Sequence, residues 1–417
     1  MRSFFALLRL SALQLRYYKT RYLIMGLLLI LGSGFLFLSL AYLHSIEKSL
    51  EQGLITRLTG HLQVYPPQVK EISLYQDPTG QNPWIQDPRP LEKGLQLLPG
   101  LLGYTRRILS GGLLQKGEKS MGVLIAGMEM EKEQTLRSRV SPRLPTGIVP
   151  LADQEILVGR GVARVLKINP GDRIPLLVPN ESGFISGRRF LVKGLFSTPG
   201  LDPIAELFIY LNVSTLQPLL GLEKEIGHLV LFTSEGTDLD LFKYQLGRNF
   251  KSLGLTASLF TWEEVGRPFL GILSLSRIFL GLTNLLIIII ISLSITNSTL
   301  MSLIDRTPEL GTLLILGTRP GVLFRLLWGE LLLFGLVTLS LGLLLGWVLA
   351  ILLGRVGIPA LNPAMAMAFG QERLYFSTDS RTWILAFSIS LITLFLASLW
   401  PILRTCRMNP AQVLKER

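Results

Sequence analysis

The run Leu285-Leu286-Ile287-Ile288-Ile289-Ile290-Ile291 decides the class of fold. It lies inside a stretch, residues 278–295, that contains no charged side chain. A helix needs roughly 20 apolar residues to cross about 30 Å of hydrocarbon. Three further uncharged stretches reach that length, at residues 22–43, 331–353 and 383–403. The sequence therefore predicts four membrane-spanning helices.

The composition of the 417-residue chain agrees with an integral membrane protein. Only 17% of its residues are charged, against about 25% in soluble domains, and the mean hydropathy is +0.45. The single cysteine, Cys406, excludes an intramolecular disulfide framework. The three histidines, His44, His61 and His228, lack the spacing of a metal site. We therefore expect the chain itself to bind no metal and no cofactor.

Basic residues flank the first and last predicted spans. They are Arg2, Arg9, Arg16, Lys19 and Arg21 on one side and Arg404, Arg407, Lys415 and Arg417 on the other. Positive flanks stay in the cytoplasm, and an even number of spans returns the chain to the same side. The tails 1–21 and 404–417 are therefore predicted to be cytoplasmic. This topology, with lipid contact, accounts for the net charge of +12, so nucleic acid is not expected as a partner.

The first apolar stretch is interpreted as a membrane anchor and not as a cleaved signal peptide. Its 22 uncharged residues exceed the usual signal-peptide core of about 7–15, and no A-x-A cleavage site follows it.

Residues 44–268 form a long segment between spans one and two, with short alternating runs broken by glycine and proline. This pattern predicts an α+β domain. We expect two subdomains, one at about 50–145 with 225–262 and the other at 146–224. The predicted strands are 60–65, 103–114, 121–126, 155–159, 173–178, 190–196, 207–210 and 229–233, and the predicted helices are 162–166 and 239–252.

One apparent nucleotide-binding motif in this segment is rejected. The run from Gly112 through Gly117 to Ser120 resembles a phosphate-binding loop, but Glu118 stands where a lysine must follow the second glycine. Such a loop also needs a strand–loop–helix context, whereas residues 115–119 are predicted to be the turn of a hairpin. We therefore expect the chain to bind no ATP.

The helix containing the second span is predicted to be longer than a membrane requires. Thr261-Trp262-Glu263-Glu264 has the spacing of a capping box. A helix from Thr261 to about residue 303 would measure roughly 63 Å at 1.5 Å per residue. Residues 269–303 would then contain both the span and an external stalk, and Pro268 would either bend the helix or mark its start.

Residues 304–320 connect spans two and three and contain the most informative motif. Thr307 is predicted to cap a short helix with Pro308 as its first residue, and Gly317 is predicted to end it. Leu310, Leu313 and Leu314 would share one face, and Arg306 and Glu309 would lie at one end. Two interpretations stay open at this level: a helix lying on lipid headgroups, or a helix that docks in a groove of a cytoplasmic partner.

The run Arg306-x-x-Glu309-Leu310-Gly311-Thr312-Leu313-x-x-x-Gly317, with Glu330 downstream, resembles the coupling helix of the FtsX-like ABC permeases. Pro401, Arg404, Pro410 and Leu414 are similar to the C-terminal pattern of that family. Residues 59–64, 126–129, 157–163, 168–172 and 261–264 resemble its lipoprotein-releasing branch. Two places depart from the family pattern, namely Glu129-Met130 after Gly127 and Leu316 before Gly317.

The resemblance implies the permease half of a type VII, mechanotransmission ABC system in a bacterial inner membrane. A second permease, identical or paralogous, would pair with it, and a separate cytoplasmic ATPase dimer would hold ATP and Mg. The coupling residues would be Arg306, Pro308, Glu309, Leu310, Gly311, Thr312, Leu313 and Gly317. The cargo would be a lipoprotein or a lipid, with a periplasmic chaperone or adaptor as a further partner.

The remaining predictions follow from this topology. Span three would occupy 321–354, span four 383–403, and a periplasmic loop 355–382. The fold class is thus four transmembrane helices with a large periplasmic α+β domain inserted between helices 1 and 2. Phe35, Phe37 and Leu275, on the outer halves of spans one and two, are the candidate cargo contacts.

Three other functions are alternatives to this one. An efflux permease for macrolides or peptides is the closest competitor. A division-type signalling scaffold that activates a cell-wall hydrolase is a second, although such relatives look smaller outside the membrane. A membrane-anchored enzyme is the third, and the carboxylates Asp153, Asp172, Asp202 and Glu206 form no catalytic pattern that supports it.

Overall fold

The computed structural model describes residues 19–70, 72, 83–96, 98–141, 148–197 and 206–406. Most of the two predicted cytoplasmic tails lies outside these residues, including Arg2, Arg9, Arg16, Arg407, Lys415 and Arg417, and so do Asp202, Pro410 and Leu414. The side chains of Glu309 and Leu314 are likewise outside the description.

The helices, in chain order, are α1 (Lys19–Leu54), α2 (Arg89–Leu95), α3 (Met130–Val140), α4 (Arg160–Leu166), α5 (Val213–Leu220), α6 (Leu239–Ser252), α7 (Trp262–Val265), α8 (Arg267–Asp305), α9 (Thr307–Ile315), α10 (Pro320–Val356), α11 (Pro363–Phe369) and α12 (Ser380–Cys406). The strands are β1 (Leu62–Tyr65), β2 (Leu101–Lys116), β3 (Lys119–Met128), β4 (Glu155–Gly159), β5 (Arg173–Pro179), β6 (Ile185–Phe196), β7 (Phe208–Asn212), β8 (His228–Thr233), β9 (Ser258–Thr261), β10 (Ile358–Pro359) and β11 (Arg373–Leu374).

The chain divides into two compact units. The helical unit comprises residues 1–45, 274–358 and 375–417, and the sheet unit comprises residues 46–273 and 359–374. Helices α1 and α8 each contribute residues to both units.

Among the described residues, four helices are long and apolar enough to cross a membrane: α1, α8, α10 and α12. This confirms the number of apolar helices predicted from the uncharged stretches. Each observed helix extends beyond its uncharged stretch at both ends, since polar residues continue the helical backbone past the apolar part.

Within the helical unit, glycines allow helices α1 and α10 to approach closely. A Cβ atom added at Gly346 would lie 2.6 Å from the carbonyl oxygen of Gly34, and one added at Gly34 would lie 2.9 Å from that of Gly342. The spacing Gly342-x-x-x-Gly346 is typical of close helix contacts in lipid. Nearby, Met25, Leu29, Ile295, Leu339, Leu394 and Ala397 from all four long helices form a buried cluster.

Nine strands of the sheet unit join in one sheet with the order β3-β7-β4-β6-β5-β2-β8-β1-β9, and β3 also pairs with β2. Strands β2 and β3 form the predicted hairpin, with Gln115 opposite Ser120. Because β2 pairs with both β3 and β5, six strands close into a ring, while β8, β1 and β9 continue from the first half of β2.

The division of the sheet differs from the predicted subdomain boundary near residue 145. Strand β3, assigned to the first subdomain, pairs in parallel with β7 of the second, with Leu124 opposite Phe208. The 16-residue strand β2 belongs to both the ring and its extension. Local patterns locate strands, but these pairings join residues more than 80 positions apart.

Of the two predicted alternatives at Pro268, a bend or a helix start, the structure has the start. The capping box is present, and the Thr261 N–H donates to Glu264 Oε2 at 2.7 Å. Helix α7 nevertheless ends at Val265, and α8 starts after Gly266, with Pro268 in its first turn. Proline is favoured there because the first N–H groups of a helix have no partner within it. Pro268 thus marks the start of α8, which at 39 residues measures roughly 58 Å.

The predicted loop 355–382 contains secondary structure that its sequence pattern does not predict. Helix α11 and the strand pair β10–β11 form within it, and residues 359–374 belong to the sheet unit. Arg57 Nη1 donates to the Gly370 carbonyl at 3.2 Å, and the Ser49 hydroxyl donates to the Phe369 carbonyl. These bonds hold the loop against the end of α1.

Candidate functional site: the α8–α10 elbow

The segment between α8 and α10 folds into one short helix between two turns. Arg306 separates α8 from α9, and α9 ends where Gly317 adopts a φ of +86°, a left-handed conformation that favours glycine. The Thr318 N–H closes this turn on the Leu313 carbonyl at 3.0 Å. We refer to residues 305–320 as the elbow.

Arg306 fixes the elbow to helix α10. Its Nη1 and Nη2 atoms each lie 3.0 Å from a carboxylate oxygen of Glu330, which makes the ion pair bidentate. The two side chains are only 4% and 9% exposed. A buried charge is strongly destabilising when its partner is removed. Arg306 was predicted to be a coupling residue at one end of α9, and its guanidinium is buried within the helical unit.

Leu310 attaches the inner side of α9 to the bundle. It is 6% exposed and packs in one cluster with Leu303, Leu323, Leu327 and Ile402. Gly311 beside it is also buried. These contacts hold α9 by one side, so that its remaining surface is left open.

The open side of α9 contains several apolar residues. Leu313 is 38% exposed, Ile315 55% and Leu316 77%, and Pro308, Thr312 and Gly317 are exposed as well. The predicted apolar face is therefore divided, since Leu310 points inward while Leu313 is accessible. Exposed apolar side chains that lie this close in sequence are typical of a contact with lipid or another protein.

Thr307 does not act as the predicted helix cap. Its hydroxyl donates to the Leu303 carbonyl at 3.1 Å, so that it is satisfied by the last turn of α8. The prediction missed this because Ser and Thr can bond either to a following N–H or to a preceding carbonyl.

The three candidate cargo contacts differ in exposure. Phe35 is 45% exposed and Leu275 68%. Phe37 is fully buried and makes an edge contact with Trp383, with 4.8 Å between the ring centroids. The prediction for Phe37 therefore needs correction. In a helix that is apolar on all sides, sequence alone does not distinguish the packed face from the open one.

A buried ionic cluster in the sheet unit was not predicted at all. Glu133 on α3 is fully buried and accepts from Arg107 Nε at 2.6 Å, Arg107 Nη2 at 2.9 Å, Arg137 Nε at 2.7 Å and the Thr105 hydroxyl at 2.7 Å. We call Arg107, Glu133 and Arg137 the arginine cluster. Its one visible signal in the sequence is the i,i+4 spacing of Glu133 and Arg137.

The environment of the arginine cluster shifts the ionisation of its members. Burial alone would raise the pKa of Glu133, but the two guanidiniums outweigh it and lower that pKa. Burial lowers the pKa of the neighbouring His228 to about 3, so this histidine is neutral near pH 7. His228 stacks on Tyr65 with 4.6 Å between ring centroids.

Among the described residues, no group of three or more His, Cys, Asp or Glu side chains could hold a metal ion. The residues of the rejected nucleotide motif lie in the β2–β3 hairpin, as predicted.

The FtsX-like permease C-terminal family matches residues 281–410, a range that contains the elbow and helices α10 and α12. These residues therefore form an FtsX-like permease domain. It is 23% identical over 331 residues to the lipoprotein-releasing system transmembrane protein LolC of Xylella fastidiosa, covering 76% of this chain and 78% of that protein.

A second relative is similar over nearly the whole length. LolE of the lipoprotein-releasing system of Haemophilus influenzae is 23% identical over 410 residues, which is 92% of this chain and 91% of that protein. Among solved structures, the periplasmic region of MacB from Actinobacillus actinomycetemcomitans matches with a TM-score of 0.35 and 16% identity, covering 52% of this chain and 94% of that one.

Proposed function

We propose that this chain is the permease of a lipoprotein-releasing type of ABC system, and that its elbow docks on a cytoplasmic ATPase. The family implies an ATPase and a second permease as partners. The observation that carries the docking role is the division of α9, in which Arg306 and Leu310 attach one side to the bundle while Leu313, Ile315 and Leu316 stay exposed. Such a helix presents apolar side chains from a fixed base, as helix-in-groove contacts require.

The docking role is tested by placing a charge on the open side of α9. We expect Leu316→Asp to abolish co-purification with the ATPase and the stimulation of ATP hydrolysis, because a carboxylate cannot enter an apolar groove without a large desolvation cost. Glu309→Lys is expected to act in the same direction. Leu241→Asp is the matched control, since Leu241 is 53% exposed on α6 of the sheet unit.

Retention of the ATPase by Leu316→Asp and Glu309→Lys would contradict the docking role. If Leu241→Asp lost the ATPase to the same extent as Leu316→Asp, the effect would be a general one on folding and would not support docking.

We also propose the topology in which the elbow is cytoplasmic and the sheet unit periplasmic. The basic flanks of the first and last apolar stretches support it. Single cysteines at the exposed positions Ser182 and Thr312, in a Cys406→Ser background, provide the test. An impermeant maleimide applied to intact spheroplasts should label the cysteine at 182, and should label that at 312 only after permeabilisation. The opposite pattern would contradict this topology.

For the cargo, we propose a lipoprotein or a related lipid. The support is the similarity to two proteins of lipoprotein-releasing systems. A photo-crosslinking residue at Phe35 or Leu275 should yield adducts with acylated protein, and the same residue at the buried position Phe37 should not. Adducts at none of the three positions, together with loss of macrolide resistance on deletion, would favour the efflux alternative.

For the mechanism, we propose that ATP-driven movement of the elbow passes along α8 toward the sheet unit. The 39 helical residues of α8, which start after Gly266 and end at the elbow, support this role. Replacing Leu282 and Thr283 on α8 by Gly-Pro should leave ATPase binding intact and abolish cargo release, because proline removes a helical hydrogen bond and bends the helix.

A further inference from the structure

The arginine cluster borders a cavity inside the sheet unit. The basic and polar side chains on its wall are Arg57, Gln63, Tyr65, Arg107, Arg137, Tyr210 and His228. Apolar side chains, among them Leu109, Met128 and Phe208, form the remaining wall. Its lining thus combines polar and apolar side chains, as small-molecule sites do.

Two guanidiniums share one carboxylate in this cluster. Both oxygens of Glu133 are already occupied, by Arg107, Arg137 and Thr105. Arg107 and Arg137 carry two positive charges against the single negative charge of Glu133, and His228 beside them is neutral near pH 7. The side chains of Arg107, Arg137 and Glu133 are 6%, 2% and 0% exposed. Solvent therefore does little to offset the excess positive charge.

The two arginines differ in what else they bind. Arg107 donates from Nη1 to the Leu58 carbonyl, so each of its three nitrogen atoms has an oxygen acceptor. Among the residues that the structure describes, Arg137 has one oxygen partner, through Nε, and its Nη2 contacts the Met128 sulfur at 4.0 Å. A thioether is a weak acceptor. Donor capacity for an oxyanion therefore resides on the Nη atoms of Arg137.

A second polar group on the wall is also unsatisfied. His228 is 1% exposed, and its Nδ1 atom has no hydrogen-bond partner among the described residues. As a neutral imidazole, His228 donates from one ring nitrogen, and its tautomer is free to adapt to an acceptor in the cavity. Gln63 and Tyr65 beside it are bonded to each other at 3.0 Å.

We propose that this cavity binds an oxyanion of the phosphate class, held by the Nη atoms of Arg137 with His228 as a second contact. Guanidinium groups bind phosphate through two parallel hydrogen bonds, which are stronger than bonds between neutral groups. The bound anion would balance the charge of the cluster. Its source is either free inorganic phosphate or the head of an amphiphile whose apolar part contacts Leu109, Met128 and Phe208.

The test uses the full-length chain in detergent micelles, with inorganic phosphate as the probe. Calorimetric titration is expected to give one binding site, and phosphate is expected to raise the unfolding temperature relative to chloride at equal ionic strength. Arg137→Met should weaken phosphate binding at least about tenfold, as loss of a charge-assisted bond does. Arg139→Met is the matched control, since Arg139 is exposed on the same helix and should bind phosphate like the wild type.

A second variant keeps the proposal testable if Arg137→Met does not fold. Glu133→Gln removes the one negative charge of the cluster, so its unfolding temperature should fall and should recover more with phosphate than that of the wild type. Equal phosphate affinity in Arg137→Met and Arg139→Met would overturn the proposal, as would a wild type or Glu133→Gln without any response to phosphate.

Butyl phosphate distinguishes the two sources. Each buried methylene strengthens binding about fourfold when it contacts an apolar wall, so tighter binding of butyl phosphate than of phosphate supports an amphiphile. Equal binding supports the free anion. In both cases, binding should be weaker in Arg137→Met than in the wild type. No residue of the elbow takes part, so phosphate binding is independent of ATPase docking.

Discussion

Two buried ionic clusters in the described part of the chain balance their charges differently. At the elbow, one guanidinium meets one carboxylate in a bidentate pair, Arg306 with Glu330. In the sheet unit, two guanidiniums meet one carboxylate, that of Glu133. The first arrangement fixes the position of a helix. The second leaves positive charge and donor groups in excess, so its stability should depend on what enters the cavity beside it.

The largest expected effect comes from breaking the balanced pair. Glu330→Gln leaves Arg306 buried without its carboxylate, and the free energy of unfolding should fall by about 3–5 kcal/mol. Chemical denaturation in detergent measures it. The double variant Arg306→Met with Glu330→Leu should regain most of that stability, since neither charge is left buried. Wild-type stability in Glu330→Gln would show that solvent reaches the pair.

A smaller effect is expected where packing, and not charge, holds the helical unit. Gly346→Ala places a methyl group against the Gly34 carbonyl and should cost about 1–3 kcal/mol by overpacking. Gly281→Ala is the matched control, because an added Cβ at Gly281 meets nothing within 4 Å. That control should be neutral or slightly stabilising, since alanine favours helix over glycine.

The neutral histidine beside the arginine cluster predicts a dependence on pH. The folded-state pKa of His228, about 3, lies below its usual value near 6.5. Below about pH 6.5 the unfolded chain therefore binds more protons, and stability falls as the pH falls.

Between pH 7 and pH 5 the loss assigned to His228 is about 2 kcal/mol, and His228→Phe should remove that part. His61, whose pKa is lowered to about 4 by burial, should maintain a residual slope. An unchanged pH dependence in His228→Phe would show that His228 titrates normally in the folded protein.

The smallest effect is expected for an ion pair on the surface. Lys193 lies 2.7 Å from Glu155, with side chains 40% and 21% exposed. Lys193→Ala should change the free energy of unfolding by less than about 1 kcal/mol, because water and salt screen exposed pairs. A loss comparable to that of Glu330→Gln would remove the distinction between buried and exposed pairs on which the comparison depends.

Local sequence patterns predicted the elements that depend on nearest neighbours. The uncharged stretches predicted four apolar helices, the run 115–119 predicted a hairpin turn, and Gly317 predicted the turn that follows α9. Each depends on length, periodicity or backbone preference within one or two turns, which a single sequence contains.

What was missed depends on contacts between distant residues. The ring of strands closes through pairs such as Leu124 with Phe208. The arginine cluster joins strand β2 to helix α3, and Phe37 is buried because Trp383 lies against it. Within the elbow, the sequence indicated Arg306 and Leu310 as important but not that both face inward. Charge and apolarity can be read from a sequence. The direction in which a side chain points depends on the residues packed around it, which only the structure shows.

The bonds between the α10–α12 loop and the end of α1 have a practical consequence. Residues 359–374 belong to the sheet unit, so the backbone enters or leaves this unit four times. A soluble fragment cut at residues 46 and 273 would lack α11, leave Arg57 without the Gly370 carbonyl and open the surface that covers Leu50 and Gly53. Excision of this unit for crystallography or binding studies would therefore require residues 359–374 to be grafted back through a linker.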